Sequence, residues 1–149
     1  MTDYYVYDMS EYCGWDFQET GRIGGADDVV NYWGKTGHHA FIIRVGGKLA
    51  GFAWIKCLRA KPVPVHDMGE FYIIRKYRRR GVGRQVAFAL FARFAGEWQV
   101  RQLKDNLPAI QFWRRIINEY TRGAFKESVK KSRVPEIVQT FATQNARND

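Results

Sequence analysis

Residues 70–84 read EFYIIRKYRRRGVGR, a β-rich segment that runs into a basic loop and then into a helical pattern. A helix N-terminus leaves about four backbone N–H groups without an intrahelical partner and carries partial positive charge. Gly81 and Gly83 have no side chain, so a phosphate can approach those N–H groups. Four arginines add positive charge at the rim: Arg78, Arg79, Arg80 and Arg84. The stretch predicts a pyrophosphate-binding loop, although it is neither a Walker A loop nor a dinucleotide fingerprint.

The segments on either side of this loop predict a mixed α/β fold with a central sheet. Predicted helices cover about 4–13, 27–33 and 84–95, and a fourth begins after its cap Asn106, with Pro108 in its first turn. Predicted strands cover 40–45, 48–57, 67–74, 98–103, 123–132 and 135–143. Gly46-Gly47 forms a hairpin turn, and Gly96 ends the helix that follows the loop. We expect the chain, 1–149, to form a single domain.

The composition is that of a folded globular protein. Hydrophobic residues make up 46% of the 149, charged residues 26% and aromatic residues 15%, which excludes a wholly disordered chain. No apolar run approaches the roughly 20 residues of a membrane helix, and the N-terminus does not resemble a secretory signal. Cys13 and Cys57 are too few for a disulfide framework, so we expect a reduced, cytoplasmic protein. Three histidines and no CxxC pair predict no metal site.

The net charge of +9, from 24 Lys and Arg against 15 Asp and Glu, predicts a polyanionic partner. Nucleic acid, an acidic protein and a phosphorylated cofactor all satisfy that requirement. Six of the cations lie within ten positions, 75–84, around the glycine loop. A nucleic-acid-binding surface usually spreads its cations along a face or a helix, so a phosphorylated cofactor is favoured and nucleic-acid binding is the alternative.

Two short motifs resemble a known family. Arg78-x-x-Gly81-x-Gly83 is similar to the Arg/Gln-x-x-Gly-x-Gly/Ala signature of the GCN5-related N-acetyltransferases (GNAT). Asn106-x-x-Ala109-x-x-Phe112 resembles that family's Asn-x-x-Ala-x-x-Phe-Tyr segment, and the spacing between the two blocks also agrees. The resemblance covers about residues 40–141 and implies the GNAT acyltransferase fold, with a mostly antiparallel sheet and flanking helices.

The resemblance implies an acetyl-CoA-dependent N-acetyltransferase that acts on a primary amine of a small molecule or a protein. The glycine loop would bind the pyrophosphate of coenzyme A, the 71–74 backbone would pair with its pantetheine arm, and Asn106 would touch that arm. The implied coenzyme A contacts are Phe71, Tyr72, Ile73, Ile74, Arg78, Arg79, Arg80, Gly81, Val82, Gly83, Arg84, Asn106, Ala109, Phe112 and Trp113. The alternative to an active enzyme is a catalytically weak module that binds acyl-CoA.

Trp113 is the first departure from the family pattern. It stands where relatives often place a tyrosine that protonates the departing thiolate, and an indole N–H cannot supply a proton near neutral pH. A thiol with a pKa of about 8.5 is a tolerable leaving group without full protonation. Tyr72 and Tyr120 are the candidate substitutes.

The second departure is an apparently shortened or missing first strand. It would leave the sheet edge around Phe41–Val45 uncovered, and an uncovered edge is a template for pairing with another chain. We therefore expect a homodimer that covers this edge or the N-terminal helices. The alternative is a monomer in which the loop Gly21–Gly25 folds over the edge.

The transfer needs a base that takes a proton from the acceptor amine. Glu70, just before the pantetheine-pairing part of the strand, is the first candidate, and Asp67 is the second; a surface carboxylate paired with an arginine is the alternative for each. The resemblance also implies that the N-terminal helix walls the acceptor site, where aromatic faces and carboxylates suit a cationic amine. The candidate acceptor contacts are Tyr4, Tyr7, Asp8 and Glu11, unless the helix is simply amphipathic.

Overall fold

The computed structural model describes residues 1–23 and 35–143. Its helices are α1 (Thr2–Cys13), α2 (Val82–Arg93) and α3 (Leu107–Thr121), and Arg75–Tyr77 form a 3₁₀ turn. Its strands are β1 (His38–Val45), β2 (Lys48–Arg59), β3 (Val65–Ile73), β4 (Glu97–Leu103), β5 (Lys126–Lys130) and β6 (Glu136–Ala142). The predicted mixed α/β fold is confirmed, while the helix predicted at 27–33 lies outside the described residues.

The six strands form one sheet in the order β1-β2-β3-β4-β6-β5. Every neighbouring pair is antiparallel except β3 and β4, which are parallel. That parallel pairing covers only Val65–Met68 against Glu97–Val100, whereas β4 stays paired with β6 as far as Leu103. Beyond Met68 the two central strands therefore diverge, and the sheet opens between 69–73 and 101–103.

Both faces of the sheet are covered. Alternation along β2 directs Ala53 and Ile55 towards α2 and α3, and Phe52 and Trp54 towards α1. The first face carries the main core, whose largest buried members include Trp98, Phe91, Trp113, Ile116 and Ile117. The second face holds a smaller cluster on which α1 packs. The candidate site lies between these two layers.

Gly96 corrects one sequence prediction. The sequence predicts that Gly96 ends the helix after the loop, but α2 ends at Arg93, with Phe94 as its cap residue. Gly96 has φ 140° and precedes β4, and a Cβ there would lie 2.4 Å from the carbonyl oxygen of Pro64. The glycine is required because the start of β4 passes close to the backbone before β3.

The two edge strands of the sheet are β1 and β5. Among residues 1–23 and 35–143, β1 pairs only with β2, and its outward residue Ile42 is 49% exposed. The homodimer expected at this edge stays a prediction. β5 forms the other edge and is exposed along its whole length.

No helix in the described ranges combines the length and the apolarity needed to cross a bilayer.

Gly51 provides a test of the β2–β3 packing. A Cβ at this position would lie 2.0 Å from the carbonyl oxygen of Tyr72, so Gly51→Ala must displace backbone. We expect a loss of about 3 kcal/mol or more in the free energy of unfolding, measured by urea denaturation. Gly47→Ala is the control, since its Cβ meets nothing and only its φ of 76° costs about 1–2 kcal/mol. Equal losses in the two variants would contradict the close approach of β2 and β3.

Candidate active site

A β-bulge places Glu70. Trp54 on β2 lies opposite Glu70, but the next residue, Ile55, lies opposite Met68, so Gly69 is an extra residue on β3. The bulge shifts the alternation of side chains, and Glu70 therefore faces α1 rather than the main core. It lies where β3 has just separated from β4.

Glu70 is partly buried beneath α1. The hydroxyl of Tyr5 donates a hydrogen bond to its Oε2 atom, and the Tyr5 ring packs edge-on against Phe52 and Tyr72 at 5.6 and 5.7 Å. Burial raises the pKa of Glu70 to about 7, although the Tyr5 hydrogen bond and the charge of Arg101 oppose that rise. A carboxyl group with a pKa near neutrality can accept and release a proton at physiological pH.

Asp67 has a different environment. Its side chain is 1% exposed, and both oxygens are engaged by Arg101, Nε to Oδ1 at 3.0 Å and Nη2 to Oδ2 at 2.9 Å. Gln99 donates a third hydrogen bond at 2.9 Å. Three of its roughly four acceptor positions are thus occupied by residues of β4, so Asp67 links β3 to β4. Of the two candidate bases, Glu70 is the one whose surroundings suit proton transfer.

The glycine loop has the backbone expected of an anion site. The first hydrogen bond of α2 runs from the N–H of Gln85 to the carbonyl of Gly81, at 3.0 Å. The N–H groups of residues 82–84 therefore have no partner within the helix. Arg79 and Gly81 both have positive φ, 60° and 78°, which turns the chain sharply just before the helix. Turns of this kind present successive N–H groups to one point.

The arginines of the loop are not equivalent. Arg78 donates to the carbonyl of Ile73 at 2.7 Å and to Asp8 at 2.7 Å, and Arg75 also donates to Asp8, at 2.8 Å. Arg84 forms an ion pair with Glu119 of α3. Within residues 1–23 and 35–143, the side chains of Arg79 and Arg80 form no hydrogen bond or ion pair, so they are the loop cations available to a ligand.

The second motif packs directly on the first. A Cβ at Gly83 would lie 3.1 Å from Cζ of Phe112, so the absence of a side chain at Gly83 makes room for the Phe112 ring. Phe112 stacks on Phe71, and Trp113, which is 5% exposed, packs edge-on against the same ring at 5.0 Å. The predicted cap is confirmed, since the N–H of Ala109 donates to Oδ1 of Asn106 at 3.2 Å. Phe112 thus lies beside the glycine loop, on the helix that Asn106 caps.

The open edge of β3 presents backbone groups. The N–H of Ile74 donates to the carbonyl of Ala50 at 2.9 Å, so its backbone faces β2. Backbone groups alternate along a strand, and those of Phe71 and Ile73 therefore face the opening towards β4. The carbonyl of Ile73 accepts from Arg78, which leaves the N–H of Ile73 and both groups of Phe71 directed at the opening.

The acceptor contacts predicted on α1 lie mostly on its outer side. Tyr4 and Tyr7 are 70% and 56% exposed, Glu11 is exposed, and Asp8 is ion-paired with Arg75 and Arg78. The predicted acceptor role of these four residues stays a prediction. Tyr5 was not among the predicted site residues. It lies on the helical stripe of Met1, Tyr5, Met9 and Cys13, which is less exposed than Tyr4, Tyr7 and Glu11.

Asp8 allows a test of how α1 is held. Burial alone would raise its pKa, but the hydrogen bonds and charges of Arg78 and Arg75 outweigh burial and lower that pKa. A lowered pKa stabilises the folded protein at pH values above the ordinary aspartate pKa of about 3.9. This stabilisation is lost as the pH falls through the lowered pKa. Asp8→Asn should therefore reduce the Tm at pH 7 by about 2 °C, a small value because solvent screens the pairs.

Calorimetry of this variant at pH 7 and at low pH measures the effect. The difference from the unchanged protein should vanish at low pH, and Asp3→Asn, on an exposed position of the same helix, should leave the Tm nearly unchanged. A difference that persists undiminished in acid would contradict the ion pairs.

Comparison with known proteins identifies the fold. A family model described as the acetyltransferase (GNAT) family matches residues 6–117. Among solved structures, the ribosomal-protein-S18-alanine N-acetyltransferase of Escherichia coli aligns over 80% of this chain and 77% of its own, with a TM-score of 0.61 and 16% identity. No curated protein sequence matches the chain.

Two other solved structures contain a bound coenzyme. A GNAT family acetyltransferase from Elizabethkingia anophelis with acetyl-CoA bound has a TM-score of 0.59 and 7% identity over 78% of this chain and 82% of its own. A PaiA N-acetyltransferase from Thermoplasma acidophilum in complex with coenzyme A has a TM-score of 0.55 and 11% identity over 78% and 68%. At such identities, these structures establish a shared fold.

Proposed function

This chain belongs to the acetyltransferase (GNAT) family, and we propose from that premise that it transfers the acetyl group of acetyl-CoA to a primary amine. The observation that carries the proposal is the position of Glu70. A carboxyl group with a pKa of about 7 lies at the point where β3 leaves β4, beside unpaired backbone groups and close in sequence to the glycine loop. These are the base, the binding edge and the anion site that acetyl transfer to an amine requires.

The residues present fit coenzyme A. The N–H groups of residues 82–84, with Arg79 and Arg80, would hold the pyrophosphate, because none of them has a partner within the described part of the chain and all lie at one helix end. The open backbone of Phe71 and Ile73 would hold an extended amide-bearing arm as an added strand does. When bound, acetyl-CoA supplies the thioester whose acyl carbon the amine attacks.

Groups of the chain itself then accept the proton and stabilise the developing charge. An amine attacks only in its neutral form, so Glu70, as a carboxylate, takes up the proton that the amine releases. The N–H of Phe71 faces the opening and can stabilise negative charge that develops on an acyl oxygen. Holding both reactants beside these groups supplies a large part of the acceleration.

Departure of the thiolate does not depend on Trp113, which packs in the core and carries only an indole N–H. Of the two substitutes considered, Tyr120 packs against Phe91 and Phe141 in the main core. Tyr72 lies two residues from Glu70 on the same face of β3, and it is therefore the better candidate of the two.

The free loop cations provide the test of coenzyme binding. Arg79→Gln together with Arg80→Gln should weaken acetyl-CoA binding roughly tenfold, because each arginine loses a charged contact to phosphate in an exposed, screened site. Isothermal titration calorimetry measures the change. Acetylpantetheine, which has no pyrophosphate, should bind the variant and the unchanged protein equally.

The matched control replaces two exposed cations far along the chain, Lys131→Gln with Arg133→Gln, and removes the same net charge. It should leave acetyl-CoA binding unchanged. If both double variants lose affinity equally, the loss reflects net charge, and the proposed pyrophosphate site is wrong.

The role of Glu70 has its own test. Glu70→Gln should lower the turnover of acetyl transfer to amines by about 10²–10⁴-fold and leave acetyl-CoA binding intact. In the unchanged protein kcat/KM should rise with pH through about 7, since only the carboxylate form of Glu70 accepts a proton. Thiol release from acetyl-CoA with a panel of primary amines measures both quantities.

Glu97→Gln, an exposed change on the adjacent strand β4, is the control and should keep full turnover. Undiminished turnover in Glu70→Gln would contradict the assignment of Glu70 as the base.

A further inference from the structure

Tyr5 lies on α1, packs against the smaller core and donates a hydrogen bond to Glu70. We propose that Tyr5 is a positioning residue, whose hydroxyl fixes the Glu70 carboxylate where it can accept the proton of the acceptor amine. The proposal rests on the proposed function in one respect, the role of Glu70 as the base. It adds a role for α1. The sequence predicts that other residues of this helix contact the acceptor, whereas here the helix contributes to the site through Tyr5.

The ring of Tyr5 has little freedom to move. It packs edge-on against Phe52 and Tyr72, both almost fully buried on the face of the sheet that carries Glu70. A tyrosine ring held by two other rings directs its hydroxyl along one line, and here that line ends at the carboxylate of Glu70. Burial and the neighbouring Glu70 raise the pKa of Tyr5, so the phenol keeps its proton and remains a donor.

The helix that carries Tyr5 is itself anchored on both sides. Val6 is 2% exposed, and Asp8 is ion-paired with Arg75 and Arg78 at the start of the glycine loop. Tyr5 and Asp8 lie three residues apart, on adjacent turns of α1. One helix therefore contacts both the base and the segment that leads into the anion loop, which keeps Tyr5 at a fixed distance from Glu70.

Among residues 1–23 and 35–143, the charged and titratable groups that act on Glu70 come from three elements. α1 contributes Tyr5 and Cys13, whose pKa is raised by burial and then by Glu70; β3 contributes Asp67; and β4 contributes Arg101. Arg101 and Asp67 pair with each other, so their effects on Glu70 oppose one another. The Tyr5 hydroxyl is the direct donor, and its removal takes away a bond that favours the charged form of Glu70.

The first measurement follows Glu70 without any substrate. The chain has seven glutamates, so protein labelled with ¹³C at the glutamate side-chain carboxyl gives seven signals, and the one absent in Glu70→Gln is Glu70. In the unchanged protein this signal should titrate near pH 7. In Tyr5→Phe its midpoint should rise by roughly one pH unit, because the carboxylate loses its donor while the ring packing is kept.

Tyr4→Phe is the matched control, since Tyr4 is the neighbouring tyrosine on the same helix and is 70% exposed. It should leave the Glu70 midpoint unchanged. Calorimetry of each variant confirms that the fold is retained. An unchanged Glu70 midpoint in folded Tyr5→Phe contradicts the positioning role of Tyr5 while leaving the proposed base role of Glu70 intact.

The second measurement is the pH dependence of acetyl transfer to an amine that the enzyme accepts. In Tyr5→Phe, kcat/KM should fall several-fold at pH 7 and recover towards pH 9, because the rising limb moves with the Glu70 midpoint. A loss that is equal at every pH contradicts the proposal, since a merely structural role would lower activity uniformly. If the midpoint moves but the rate profile does not, Glu70 is not the base, and the positioning role fails together with that assignment, although acetyl transfer to the amine still stands.

Discussion

The parallel pairing of β3 with β4 ends at Met68 and Val100, and the candidate site depends on that separation. On one side of the divergence β3 is still held by β2, and on the other β4 is still held by β6. The strands are therefore ordered on both sides of the opening, and the backbone groups of Phe71 and Ile73 face it. The Gly69 bulge lies at the same place and turns Glu70 away from the main core, so the binding edge and the base come from consecutive residues of one strand.

Some arginines of the chain form ion pairs within the fold, and others remain available to a ligand. Arg78, Arg84 and Arg101 are engaged by Asp8, Glu119 and Asp67, and these pairs hold α1, α3 and β4 in place. Arg79 and Arg80 have no such partner among the described residues. The large positive charge of the sequence thus stabilises packing at some positions and leaves a small local excess at the N-terminus of α2, where an anion is already favoured by unpaired N–H groups.

Much of the fold could be predicted because its signals are local. The Gly46-Gly47 turn, the Asn106 cap and the glycine loop each depend on residues within a few positions of one another, and the structure has them where the sequence placed them. The interactions that distinguish the carboxylates are not local. Asp67 is held by Arg101, 34 positions away, and Glu70 by Tyr5, 65 positions away, and no pattern near either residue indicates those partners. The prediction for Gly96 was wrong for the same reason, since the residue that requires a glycine there, Pro64, is distant in the sequence.

The central claim is that the opening between β3 and β4, with the adjoining helix end, binds acetyl-CoA. The most direct measurement is the change in backbone amide signals of ¹⁵N-labelled protein on addition of acetyl-CoA. The account predicts large shifts and slower hydrogen exchange at the amides of Phe71, Ile73 and residues 82–84, with little change along β5. Saturating acetyl-CoA that leaves those amides unchanged, or that shifts amides elsewhere in the sheet instead, would contradict it.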